Sequence, residues 1–123
     1  MENLDFGFVY GLLGETATKV LLYLHRFNES YATEIANHFS MSQQAVMYQM
    51  DKLEKYSILK SRLVGKTRLY RINPRYVLRK GLRNLLEEAL LYMPNEEKAL
   101  YYRKRTRPRT KGKQLRKYQD RQD

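Results

Sequence analysis

The chain has no cysteine among its 123 residues. That excludes disulfides, cysteine-ligated zinc and thiol catalysis, and makes the cytosol the default compartment. Histidine is nearly as scarce: His25 and His38 are the only two, and without further ligands at a recognisable spacing they read as helix-surface or core residues, so no metal is expected. Long apolar runs are missing too. Val20-Leu21-Leu22-Tyr23-Leu24 is among the longest, far short of the ~20 residues that a membrane span needs. Acids close behind Met1 replace the basic and then apolar stretch of a secretory signal. Phosphate-cradling glycine loops, nucleophile elbows and metal motifs are absent as well. Glu87-Glu88 and Glu96-Glu97 are adjacent pairs, which diverge on a helix and cannot flank one substrate bond. Neither catalysis nor a cofactor is expected.

What is present in excess is positive charge, a net of +11. Residues 103–123 hold ten Lys/Arg against two acids, a net of +8, whereas residues 1–102 carry fourteen bases and eleven acids, a net of +3. The body is therefore only mildly basic, and most of the charge is an arm suited to a polyanion. Its bases include Arg103, Lys104, Arg105, Arg107, Arg109, Lys111 and Lys113. With almost nothing to bury, 105–123 is expected to be a disordered tail that neutralises phosphates or enters a minor groove, or else simply solubilises the chain.

Tyr31–Lys55 organises the rest. Ile35, Ala36 and Phe39 line one face of a first helical segment, and Val46, Met50 and Leu53 recur at the i, i+4, i+7 spacing of a second. The three residues between them, Ser40-Met41-Ser42, match the connector of a helix-turn-helix. Ser40 with Gln43 reads as a capping box, while Ser42 places a cap nearer the apolar run. Opposite the apolar face stand Gln43, Gln44, Met47, Tyr48, Asp51 and Lys52. Glutamine can pair with adenine in bidentate fashion, methionine can lie on a thymine methyl, and tyrosine or lysine can take a phosphate or base acceptor. A solvated helix face would also carry Gln, Lys and Asp. The following segment tips the balance.

Residues 58–72 alternate with a period near two around Val64-Gly65-Lys66-Thr67, which predicts a β-hairpin with Gly65 at its tip. Arg62, Lys66, Thr67 and Arg68 lie in the tip region with no acid among them. A helix-turn-helix followed by a basic hairpin is the order of a winged helix, whose second helix enters the major groove while the wing lies on phosphates or the adjacent minor groove. A plain surface hairpin with edge bases against aggregation is the competing account.

Leu12-Leu13-Gly14-Glu15-Thr16, Ala32-Thr33-Glu34-Ile35-Ala36, Ser42-Gln43-Gln44-Ala45-Val46, Leu53-Glu54-Lys55, Ile58-Leu59 and Gly65-Lys66-Thr67-Arg68-Leu69-Tyr70-Arg71-Ile72-Asn73-Pro74 follow one another in the order and spacing of a known group. Over roughly Leu12 to Leu91 the chain resembles ArsR-like winged-helix transcriptional regulators. The resemblance implies a dimeric, sequence-specific, prokaryotic double-stranded-DNA-binding protein, usually a repressor, found in the cytoplasm at the nucleoid. It departs from the metal-sensing members of that group in lacking their cysteine ligands.

The expected fold class is mainly α with a small β-hairpin (α+β): a winged helix-turn-helix with a long carboxy-terminal dimerisation helix and a basic tail. Residues 1–14 form an apolar segment that packs on the domain or completes a partner. Residues 15–73 form the DNA-binding domain, with a first helix over Glu15–Phe27, a reading helix over 42–55 and a wing over 58–72. A short strand before Ala32 can pair with the hairpin. Residues 74–104 are helical again, with Tyr76–Met93 as one long helix, and Leu78, Leu82, Leu85, Leu86, Ala89, Leu90 and Met93 are expected to form the seam of a homodimer. Folding back onto its own domain is the alternative for that helix. Two further function classes compete with the transcription factor: a nucleic-acid binder of little sequence preference, architectural or RNA-associated, and a winged-helix protein-interaction module.

Overall fold

The structure is a computed structural model that describes residues 7–102. Its elements run α1 (Gly7–Leu13), α2 (Glu15–Phe27), α3 (Ala32–Phe39), α4 (Gln43–Lys55), β1 (Leu59–Val64), β2 (Thr67–Ile72) and α5 (Arg79–Leu91), then a short α6 (Asn95–Glu97) that runs into a π-helical turn, Lys98–Tyr102. The architecture is mainly helical with one small antiparallel hairpin, as the periodicities predict.

The helix α2 is the centre of the core. Ala17, Thr18, Val20, Leu21, Leu22, Tyr23 and Leu24 are all buried, and the helix touches α1, α4, β2, α5 and the π turn. Apolar residues round most of the circumference are what a helix covered on several sides requires. Thr18 can be fully buried because its hydroxyl donates to the Gly14 carbonyl one turn back, at 2.6 Å.

Helices α3 and α4 are joined by Ser40-Met41-Ser42, the expected connector. The two serines divide the work. Ser40 takes the left-handed conformation (φ 55°) that ends α3, and its amide returns to carbonyls of that helix. Ser42 caps α4, its Oγ accepting from the Ala45 amide at 3.2 Å. Of the two caps the sequence allows, Ser42 is the one used.

β1 and β2 pair from Leu59↔Ile72 to Val64↔Thr67 and leave a two-residue turn, Gly65-Lys66. Gly65 has φ 63° and Lys66 is not in that region, the pattern of a type II′ turn with glycine first. The strand anticipated before Ala32 is reduced to one bridge, in which Ser30 and Tyr70 exchange both backbone hydrogen bonds, at 3.1 and 2.7 Å.

Two expectations about the carboxy-terminal region are corrected. The long helix begins at Arg79, not Tyr76, and ends at Leu91. Asn73 is the reason: its side chain accepts from the Arg75 amide and its carbonyl from the Tyr76 amide, so the chain turns before it can coil. The proposed dimer seam is also largely spent within the chain. Leu86 (0% exposed), Ala89, Leu90 and Met93 are buried in the common core, and Leu82 packs against it. They pack there because α5 lies against α2, where His25 Nε2 meets Glu87 Oε2 at 2.6 Å. Leu78, at 62% exposed, and the half-buried Leu82 and Leu85 are the seam residues that keep surface.

Residues 7–14 divide in the same way: Val9 is buried, while Phe8 and Leu12 face outward. The π turn is tied down by its carbonyls, that of Tyr101 accepting from His38 Nε2 at 2.8 Å and that of Tyr102 from Arg26 Nε at 2.7 Å. His38 also touches the rings of Tyr23, Phe39 and Tyr101.

Burial holds the His38 pKa below its ordinary 6.5, with the Tyr101 carbonyl and Glu34 pulling the other way. The unfolded chain therefore takes up this proton first as pH falls, so stability is lost from about the ordinary histidine value downward. Lowering the pH from about 7.5 to about 5.5 is expected to reduce the thermal midpoint, and His38→Gln to flatten that dependence. Thermal unfolding at both pH values checks this; equal slopes in the two proteins would refute it.

Candidate nucleic-acid interface

Helix α4 is sharply two-faced. Val46 and Met50 are completely buried and Leu53 nearly so, while Ser42, Gln43, Gln44, Met47, Tyr48, Asp51 and Lys52 are exposed. The polar set therefore stands on one exposed side of the helix, as the spacing predicts, with Tyr48 65% exposed.

The hairpin is fastened to this helix from behind. Side chains alternate along each strand, so Ser61 and its cross-strand partner Tyr70 share a face, and that face meets α4. The Tyr70 hydroxyl donates to Asp51 Oδ1 at 3.0 Å and lies 3.9 Å from Met47 Sδ. Burial, together with the bond to Asp51, pushes this phenol up to about 12, so it remains a donor at any physiological pH. Ser61 Oγ donates to Glu54 at 2.6 Å and accepts from Arg68 Nη1 at 2.9 Å. Two acids of α4 are thereby engaged by the hairpin. These contacts set the hairpin beside α4 as one unit.

The bases of the hairpin are not equivalent. Lys66 and Thr67 stand exposed at the turn, and Lys66 has no partner among the described residues. Arg68 is held by Ser61 close to α4. Arg62 is not at the tip. It pairs with Leu69, on the face away from Ser61, and chelates Glu29 through Nε at 2.9 Å and Nη2 at 3.0 Å. The hydrogen bond from Arg62 keeps the Glu29 carboxyl below its usual range. The sequence shows no acid near Arg62 because Glu29 arrives from the loop before α3.

Several features of the surface escaped the sequence reading. With the turn at 65–66 the register pairs Ser61 with Tyr70, but that this pair is the tether between hairpin and helix depends on contacts with α4 that the register does not contain. Lys60 and Arg71 face each other across the strands, a like-charge pair that costs stability in isolation, and Arg71 helps lower Glu29. Leu63 and Val64, beside the turn, are exposed aliphatics at 61% and 45%.

The tail bases Arg103, Lys104, Arg105, Arg107, Arg109, Lys111 and Lys113 lie outside the described residues. The chain reaches them from Tyr102, which is fixed beside the ends of α2 and α3. His25 and His38 are engaged separately, with Glu87 and with the Tyr101 carbonyl. Among the described residues no group of three potential metal ligands occurs, and no helix is long and apolar enough to cross a membrane. No family model matches the chain, and no curated protein matches it in sequence.

Proposed function

We propose that the chain is a sequence-specific, duplex-DNA-binding transcriptional regulator acting as a homodimer at the nucleoid, as its ArsR-like winged-helix resemblance implies. Helix α4 reads the major groove, and the β1–β2 wing lies on the backbone or in the adjacent minor groove. One observation carries this reading: Gln43, Gln44, Met47, Tyr48 and Lys52 stand together on the exposed face of α4, with the hairpin held beside it through Asp51–Tyr70 and Glu54–Ser61. An uncharged, hydrogen-bonding pair of glutamines in the first turn suits base edges, whereas a purely electrostatic reader would place bases there. Lys66 and Arg68 supply the phosphate contacts of the wing, and Arg62 joins them only by leaving Glu29.

A second reading, nucleic-acid binding with little sequence preference, rests on the ten bases of residues 103–123. Fluorescence anisotropy separates the two. A labelled duplex from upstream of the protein's own coding sequence and a scrambled duplex are titrated at several salt concentrations. A preference that survives rising salt supports the regulator. Equal affinities with a steep salt slope favour the second reading, and no binding to either refutes the regulator and puts the protein-interaction module in front.

Gln44→Ala and Tyr48→Ala are expected to lower the preference for the chosen duplex by about 1–3 kcal/mol each and leave random-duplex binding nearly intact. Parallel loss on both duplexes would refute base readout by α4.

A further inference from the structure

Three bases share the face of the hairpin that turns away from α4. Side chains alternate along a strand, so Lys60 and Arg62 stand together on that face with their β2 partners, Arg71 and Leu69. All three bases are exposed. Lys60 directly opposes Arg71, an arrangement of like charges that works against pairing of the strands. Neither of these two makes a hydrogen bond or ion pair among the described residues. The acid that meets the group comes from outside the hairpin. Glu29 accepts from Arg62 Nε at 2.9 Å and from Nη2 at 3.0 Å, one bond to each carboxylate oxygen, and the charge of Arg71 adds to the pull that holds its pKa down.

Glu29 is fixed from both sides. Asn28 before it takes φ 74° and returns its amide to the Leu24 carbonyl at 2.8 Å. Ser30 after it is buried and bridged to Tyr70. A carboxylate held across a guanidinium fork makes the two-oxygen contact that a phosphate also makes with arginine. One carboxylate, however, does not offset three bases. The face keeps a net positive charge, and it runs on to the exposed Lys66 at the turn. Charge complementarity therefore favours a run of phosphates as its occupant.

We propose that the outer face of the hairpin is a site for backbone phosphate, built by Arg62 and Arg71 with Lys60 beside them, and that Glu29 fills it in the free chain as an internal competitor. A duplex that docks against the hairpin displaces the carboxylate, and Arg62 turns from Glu29 to a phosphate. The cost of this exchange lowers affinity for every sequence alike, because phosphate contacts carry no direct sequence information. Glu29 thus sets how tightly the chain is held on any duplex, separately from the base-reading face of α4. The exchange with duplex rests on the nucleic-acid readings above, whereas the anion site does not.

The site is tested first with inorganic phosphate and no DNA, added to the full chain at constant ionic strength. In Glu29→Gln the side-chain NMR signals of Arg62 and Arg71 are expected to shift, and in the wild type, where the carboxylate fills the fork, they should shift far less. No shift in the variant, or equal shifts in both proteins, overturns the site. Anisotropy with the preferred and the scrambled duplex then reads the exchange. Glu29→Gln should raise affinity for both about fivefold and leave their ratio unchanged. Arg62→Gln should weaken both, flatten the slope of log K against log salt by about 0.9, and abolish the gain from Glu29→Gln. Glu88→Gln removes an exposed acid of α5 and controls for charge alone. A Glu29→Gln chain that binds duplex more weakly than the wild type would show that the ion pair only braces the hairpin. A gain that persists with Arg62→Gln, or that Glu88→Gln matches, would be a charge effect without a site. Each of these results overturns the proposal. Duplex discrimination that ignores Glu29 and Arg62 upholds the regulator and overturns the exchange. A wild type that binds neither duplex refutes the regulator and the exchange together, and the phosphate titration decides the site by itself.

Discussion

Removal of residues 103–123 is expected to weaken binding to every duplex, preferred or scrambled, and to flatten the salt dependence. The segment holds ten of the 24 Lys/Arg of the chain, and each base seated on a phosphate contributes about −0.9 to the slope of log K against log salt. If six to ten of them do so, roughly 10³–10⁵ of affinity is lost between about 50 and about 200 mM salt in the full chain, a loss the truncated chain escapes. The preference between duplexes should survive, since phosphate contacts carry no direct sequence information. Truncation after Tyr102 keeps the described core and both carbonyl contacts of the π turn, so the unfolding midpoint serves as the control. An unchanged slope with unchanged stability would show that the arm does not touch the backbone.

Leu86→Ala is expected to cost about 2–5 kcal/mol of stability, and Leu78→Ala no more than about 0.5 kcal/mol. Both leucines belong to α5 or its cap, and both fit the same seam by spacing. Leu86 has no exposed surface and lies in the common core, whereas Leu78 is mostly in water. The cost at Leu86 combines lost transfer energy with a cavity that its neighbours only partly close. Urea unfolding at low protein concentration, where association does not contribute, measures both. Equal effects would mean that the inner face of α5 is not packed as described. A large effect at Leu78 in the monomer would contradict its exposure.

The comparison of these two leucines shows where the sequence runs out. Periodicity identifies α5 as amphipathic, yet a stripe broad enough for one neighbour on each side does not say which neighbour belongs to the same chain. Leu78, Leu85, Leu86, Ala89 and Met93 look alike in a list of apolar positions. Only the docking of α5 on α2, marked by His25 and Glu87, separates them. Arg62 teaches the same lesson for charge. Along the chain it is a base among bases, but 33 residues away from it in sequence lies the carboxylate that holds it.

By contrast, local physics reaches the elements that depend on near neighbours. The turn Ser40-Met41-Ser42, the choice of Ser40 or Ser42 as cap, the Gly65 turn and the exposed face of α4 follow from capping, the conformational freedom of glycine, and the 3.6 and 2.0 residue periods. The sequence alone therefore determined the helices α2 to α4, the hairpin and the basic arm, because each arises from residues within a few positions of one another, while α1 was legible only as an apolar segment. Tertiary structure decided which apolar face is spent inside the chain, which bases of the hairpin remain uncommitted, and how the hairpin is tied to α4 through Tyr70 and Ser61. Those outcomes turn on burial and hydrogen bonding between segments distant in sequence, and one-dimensional spacing carries no record of either.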